Sequence, residues 1–174
     1  MNRILLALSS IVLFLSIAFL STVAGSKTYK IPKGLVQQLI KDINTNENNF
    51  RLTKEDIKVL NERLKCKFHD LNGDSRPEFF LYIEHSDWCG AGYNCSYWVY
   101  QRVPGGYKLL LEEKVLKVKN TVTNGYRDLE SQQPMGFCDV NVKRADVSLY
   151  QFDGRRYQFI SRKDECIPFK PKKI

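Results

Sequence analysis

Hydrophobic and polar positions divide the chain into a leader and a folded part. Ile4 to Leu20 form an almost unbroken apolar run, interrupted only by Ser9, Ser10 and Ser16; Arg3 precedes it, and residues 21–26 turn small and polar. A charged start, an apolar middle and a small-residue end make a secretory signal peptide. Thr22 with Ala24, or Val23 with Gly25, fit the −3 and −1 positions, so residues 1–25 are expected to be cleaved and 26–174 to form one domain. The apolar run is near the lower limit of roughly 17–25 residues for a spanning helix. An uncleaved anchor is therefore the alternative. No later run is long enough to span a bilayer, so no stable membrane span is expected after cleavage.

After the leader the period is helical. Leu35, Val36, Leu39, Ile40 and Ile43 fall on one face and predict a helix over 32–43. Residues 44–49 are polar. Thr53 and Asp56 then make a capping box, with Leu52 and Ile57 placed as a hydrophobic staple; Ile57, Leu60 and Leu64 continue the inner face. From Leu64 the period becomes two. Strands are predicted over 64–69, 78–84, 95–103, 107–113, 115–118, 140–152 and 156–161, with turns at 104–106, 124–125 and 153–154. Two helices followed by strands predict an α+β fold, the two N-terminal helices packed on an antiparallel β-sheet. A mobile basic tail is expected from about residue 167.

Composition narrows the compartment and the partners. Roughly 150 residues remain after cleavage, enough for one domain with a real core. Cysteines stand at 66, 89, 95, 138 and 166. In an exported chain they are expected in disulfides. Five cysteines leave one over, and two bridges can be drawn in roughly fifteen ways. Cys89 with Cys95 is the easiest pair and Cys138 with Cys166 the second, which leaves Cys66 as a small buried hydrophobe. The net charge is +8. It admits an anionic envelope polymer or an anionic lipid as partner, besides a simple role in solubility. The lysines cluster only at 170, 172 and 173, and nucleic-acid motifs are absent.

Two segments could carry chemistry. In residues 70–78, the side chains of Asp70, Asn72, Asp74 and Glu78 and the carbonyl of Arg76 alternate around a bend at Gly73. Oxygens so spaced can converge on Ca2+, which takes six to eight of them. Ser75 replaces the glycine of an EF-hand and Leu81 its bidentate glutamate, so a standard EF-hand is excluded. The simpler reading is a polar Asx turn. The second segment, 88–95, is a cysteine-closed loop with two glycines, in which Trp88 and Tyr93 could form a binding tip. Tyr97, Trp98 and Tyr100 beside it read equally as sheet core. His85 with Cys89 could be a base and nucleophile, and His69–Asp70 or His85–Asp87 a ligand pair, but zinc-ligand spacing is lacking. No phosphate loop, Gly-x-Ser-x-Gly or His-Glu-x-x-His occurs. Asn94-Cys95-Ser96 is a formal glycosylation sequon.

The strand–loop–strand setting of residues 70–78 resembles the calcium loops of FG-GAP-type repeats in secreted and surface proteins. Over residues 60–160 the chain resembles small exported bacterial proteins of unassigned activity. The matching pieces are DLNGDSRPE (70–78), CGAGYNC (89–95), TNGYRDL (123–129) and FDGRRY (152–157), in that order. The chain departs from their pattern at Ser75, where glycine is usual, and in a larger cysteine loop with Tyr93 and Asn94. The resemblance implies export, a Cys89–Cys95 bridge and a metal loop; it supplies no reaction. The leading expectation is a non-enzymatic periplasmic or secreted domain that binds an envelope or extracellular protein or an anionic polymer, an inhibitor or immunity role being one form. The alternatives are a calcium-stabilised structural domain and an envelope hydrolase using Asp70, Glu78 or Asp87 as acid or base.

Overall fold

A computed structural model describes residues 30–45, 51–85, 88–90, 94–140 and 142–168. The expected signal peptide lies outside the described residues, and so do residues 169–174. The elements are α1 (Lys33–Thr45), α2 (Lys54–Arg63), β1 (Leu64–His69), β2 (Glu78–Ile83), β3 (Cys89–Gly90), β4 (Asn94–Val103), β5 (Gly106–Lys114), β6 (Leu116–Thr123), β7 (Tyr126–Asp139), β8 (Val142–Phe152) and β9 (Tyr157–Pro168). The strand β9 thus continues past residue 167, where the sequence places the start of the tail.

The helices form where the apolar spacing puts them. α1 buries Leu35, Leu39 and Ile43 along one face. α2 opens on the expected capping box. Thr53 Oγ1 accepts the Asp56 N–H at 3.2 Å, and the Asp56 carboxylate accepts the Thr53 N–H at 2.8 Å. Asn44 Oδ1 accepts the Leu52 N–H at 2.8 Å and so links the two ends of the polar break.

The strands overturn the expected fold class. The chain is mostly β, with two antiparallel sheets and two short helices, where an α+β fold of two helices on one sheet was expected. Sheet 1 runs β1-β2-β4-β5, and the two-residue β3 pairs with the first residues of β4. Sheet 2 runs β6-β7-β8-β9. The difference comes from β7, which pairs with both β6 and β8. Its Gln132, Gln133, Pro134 and Gly136 carry no apolar alternation, so hydrophobic pattern does not reveal it. Without β7 the C-terminal strands have nothing to join except the first sheet.

Sheet 1 is covered on both faces, and β2 is buried at all six positions. Successive side chains of a strand point to opposite faces. Phe79, Leu81 and Ile83 of β2 therefore join Trp98 and Tyr100 of β4 in one cluster with Leu35, Leu39, Ile43 and Leu60 of the helices. Phe80 and Val99 join the other cluster, with Leu110 and Leu111 of β5 and Leu129, Tyr150, Phe152 and Tyr157 of sheet 2. The Tyr100 hydroxyl donates to Asp42 at 2.7 Å and ties β4 to α1. Burial first, then that carboxylate, pushes its pKa well above the usual phenol range.

The chain passes between the sheets at a single residue. Val115 donates its N–H to the Cys95 carbonyl at 3.2 Å, and its carbonyl accepts from the Gln132 N–H at 3.1 Å, so one residue serves both sheets. It does so at φ 46°, an outlier for a β-branched residue. The two bridges proposed from the sequence are present, Cys89–Cys95 and Cys138–Cys166, and Cys66 is free. Loop-closure entropy scales with separation. The 28-residue span of Cys138–Cys166 corresponds to roughly 3–4 kcal/mol and the 6-residue span of Cys89–Cys95 to roughly 2 kcal/mol. No helix among the described residues is long and apolar enough to cross a membrane.

The corner makes a prediction with an unusual sign. Left-handed backbone costs a non-glycine residue roughly 1–2 kcal/mol, and Ala at position 115 keeps that cost while losing the valine's packing. Val115→Gly should therefore melt higher than Val115→Ala in thermal denaturation, by a few degrees for a domain of this size. The reverse order would show that the left-handed turn is not held in solution.

Candidate functional site

The loop between β1 and β2 is built from its own side chains. Asp70 accepts the N–H groups of Gly73 at 2.8 Å and Ser75 at 3.0 Å. Asn72 Oδ1 accepts from the Asp74 N–H at 3.1 Å, and Asp74 Oδ1 from the Arg76 N–H at 2.7 Å. Short acceptor side chains thus replace the sheet ladder where the chain turns. Gly73 lies at φ 73° and Ser75 at φ 63°. Ser75 has the left-handed conformation that a glycine would supply without cost. The departure of the sequence at this position therefore changes the side chain and not the course of the backbone.

Two contacts anchor the loop to sheet 2. Leu71 is buried in the cluster between the sheets, and its carbonyl accepts the Arg127 N–H at 2.7 Å. Asn72 Nδ2 donates to the Tyr126 hydroxyl at 3.1 Å, and Gln101 of β4 donates to the same oxygen. Tyr126 belongs to the TNGYRDL segment, so two of the sequence motifs meet here. Leu71, Gln101 and Tyr126 are site residues to which the sequence reading gave no role; Leu71 and Tyr126 lie in the 70–78 and 123–129 motifs, and Gln101 carried no signal.

Glu78 stands apart from the rest of the loop. It is 1% exposed. Its Oε2 accepts the Leu71 N–H at 2.9 Å, while Oε1 is buried with no hydrogen-bond partner. Burial pushes its pKa up, the Leu71 and Glu78 amides pull it partly back, and the nearby Asp74 and Asp70 charges add to the rise. Of the residues expected to hold a metal, Asp70, Asn72 and Asp74 share the turn, Glu78 lies beneath it, and Arg76, expected to offer its carbonyl, is exposed. No group of three or more His, Cys, Asp and Glu placed to hold a metal ion occurs among the described residues. The atoms left to a hard cation are the second lone pairs of the turn oxygens and Glu78 Oε1.

The other candidates separate. Trp88 packs against the helix-side cluster and not outward, and Tyr93 lies outside the described residues. Trp98 and Tyr100 are core, and Tyr97 stacks on Tyr82 at 5.0 Å. Cys89 is a disulfide sulfur, which removes it as a nucleophile. The His69 ring packs edge-on against Phe80 at 4.7 Å, and burial, then the Lys67 and Arg127 charges, hold its pKa below the usual imidazole value. Asp87 is outside the described residues. An apolar group that sequence reasoning missed lies at the far end of sheet 2: Met135, Phe137 and Val140 are 65%, 70% and 82% exposed. The flanking Pro134 and Gly136 break any alternation that would have marked them.

Comparison with family models, with curated proteins and with solved structures gives no match.

Two predictions follow from the loop. Ser75→Gly should raise the melting temperature by a few degrees, since it removes a left-handed non-glycine residue with its side chain exposed; an unchanged or lower value would deny that conformation. Glu78 gives a pH signature. Its pKa is raised on folding, so its stabilising contribution is complete at acidic pH, below the unfolded carboxyl value, and is lost as pH rises through the folded value. In chelator, Glu78→Gln should match the wild type at pH 4 and melt several degrees higher at pH 8. A constant difference across that range would show that the carboxyl titrates alike in both states.

Proposed function

We propose that the chain is an exported, non-enzymatic binding domain that works through the free end of the β7–β8 hairpin. The observation that carries this reading is the exposure of Met135, Phe137 and Val140 together at that end. Single exposed apolar side chains are ordinary, whereas a cluster at the tip of a projecting hairpin is a contact surface. The Cys138–Cys166 bridge fastens the tip to β9, so little order has to be created on binding. Two disulfides and the leader pattern support an oxidising compartment, the periplasm or the extracellular space. This tip takes the place of the Trp88–Tyr93 loop, whose tryptophan is drawn into the core. The binding role is tested by retention of the protein on envelope extracts of its source cells. Phe137→Ser with Val140→Ser should lower retention by about a hundredfold or more, at roughly 1.5 kcal/mol or more for each apolar side chain buried, without moving the melting temperature. Equal retention of variant and wild type would refute the assignment of the tip.

A second reading, a calcium-stabilised structural domain, is favoured by the unpartnered Glu78 Oε1 beneath the 70–78 turn. A cation bound only by the folded state raises its melting temperature by mass action. Under this reading calcium, compared with chelator, raises the wild-type melting temperature by several degrees, and Asp74→Ala removes the difference. Identical melts in calcium and chelator would leave the turn closed by its amides alone.

A further inference from the structure

We infer that sheet 2 carries a self-acting cross-link site, in which the Thr121 hydroxyl joins the Gln151 carboxamide as an ester with Asp128 as the base. The three residues stand on or beside each other on adjacent strands, β6, β7 and β8. Leu129 of β7 pairs with Tyr150 of β8, and both belong to the cluster between the sheets. The next residue on each strand, Asp128 and Gln151, therefore points to the opposite face. β6 brings Thr121 to the same place through an irregularity. Val118 pairs with Leu129 and Val122 with Arg127, so residues 119–121 stand opposite Asp128 alone. A bulge re-aims a side chain that regular pairing places elsewhere.

The contacts are those of a nucleophile, a base and an electrophile. Thr121 Oγ1 donates to Asp128 Oδ2 at 2.6 Å, and Gln151 Nε2 donates to the same oxygen at 3.3 Å. A hydroxyl becomes a nucleophile when a base sits within this reach. Asp128 thus touches both the proton to be removed and the nitrogen that is to leave. Asp128 is 2% exposed, and its Oδ1 is buried with no hydrogen-bond partner. A buried acceptor without a donor costs stability and asks for a role beyond structure. Lys119, Glu130 and Gln132 repeat the arrangement nearby. There the Lys119 ammonium is paired with Glu130 at 2.6 Å and has no lone pair with which to attack.

The exchange balances without a further reagent. Asp128 takes the Thr121 proton as Oγ1 bonds to Gln151 Cδ, and the C=O electron pair moves to Oε1. As that carbonyl re-forms, the Cδ–Nε2 bond breaks. The nitrogen leaves as ammonia with the proton that Asp128 held. An alcohol and a primary amide become an ester and ammonia; nothing is oxidised or reduced, and Asp128 ends as it began. The event occurs once per chain, so the domain has no turnover. β6 is an edge strand of sheet 2, and the Cys138–Cys166 bridge joins only β7 and β9. The ester fastens that edge to β8 and, unlike the disulfides, is indifferent to reductant.

The test is a peptide map of the full chain, folded and held oxidised in neutral buffer. Trypsin releases Thr121 within residues 120–127 and Gln151 within residues 145–155. The two peptides should appear joined, at the sum of their masses less ammonia, and hydroxylamine should part them. Thr121→Val should abolish the joined species, and Thr121→Ser should keep it. Asp128→Asn, which preserves shape but cannot take the proton, should abolish it as well. Thr121 is exposed, so its variants keep the fold and decide the matter even where Asp128→Asn does not fold. Separate peptides at their free masses after prolonged incubation of the folded chain overturn the inference. A joined pair that persists in Thr121→Val, or that resists hydroxylamine, overturns it equally.

Discussion

The strand β2 has no solvent face, and it and β4 sort their side chains between two separate cores. Phe79, Leu81 and Ile83 pack with the helices, and Phe80 with sheet 2. A one-residue slip of β2 would exchange these sets, bringing Glu78 and Phe80 to the helix side. The register is thereby fixed from both sides, and everything attached to β2 inherits that precision. The 70–78 turn is attached most directly. Leu71 enters the core between the sheets, the Leu71 carbonyl meets Arg127 of β7, and Asn72 meets Tyr126. The turn is a junction between the sheets as much as a connection between two strands.

What the sequence shows and what it hides follow from one physical difference. α1, α2, β2 and β4 bury apolar side chains at a regular period, and the two helices begin and end within a few residues of where that period places them. β7 buries Asp128, Glu130 and Ser131. Asp128 accepts from Thr121, and Glu130 takes Lys119 and Gln132 as partners. Burial alone would raise the Glu130 pKa; the Lys119 ammonium and the Gln132 amide outweigh it and hold it low. A strand whose interior is largely polar has the composition of a loop, and its pairing partners are far away in sequence. The fold class went with that strand. At the turn, Asp70, Asn72 and Asp74 were legible because their role is local. The burial of Glu78, the reach of Tyr126 and the exposure of Met135, Phe137 and Val140 depend on strands that meet only in three dimensions.

The 70–78 turn and the hairpin tip divide the molecule's polar and apolar exceptions between them. At the turn, a carboxyl is drawn into the interior beneath oxygens already engaged by amides. At the tip, large apolar side chains are left in water where the sheet could have ended on polar ones. Both depart from the usual sorting of side chains, and each is held by a long-range tie: Leu71 to Arg127 at one place, Cys138 to Cys166 at the other.

The odd cysteine has a consequence for how the covalent framework survives. Disulfide exchange requires a thiolate as attacker. Cys66 packs against the helix-side cluster, and burial pushes its thiol pKa up to about 12. At neutral pH the folded chain then holds only about one part in 10⁵ of that sulfur as thiolate, against a few per cent for an ordinary cysteine. The danger of scrambling is confined to the time before β1 and the helices close over it. Once they have closed, the fold itself acts as the protecting group, and the two correct bridges are isolated from the fifth sulfur by packing alone.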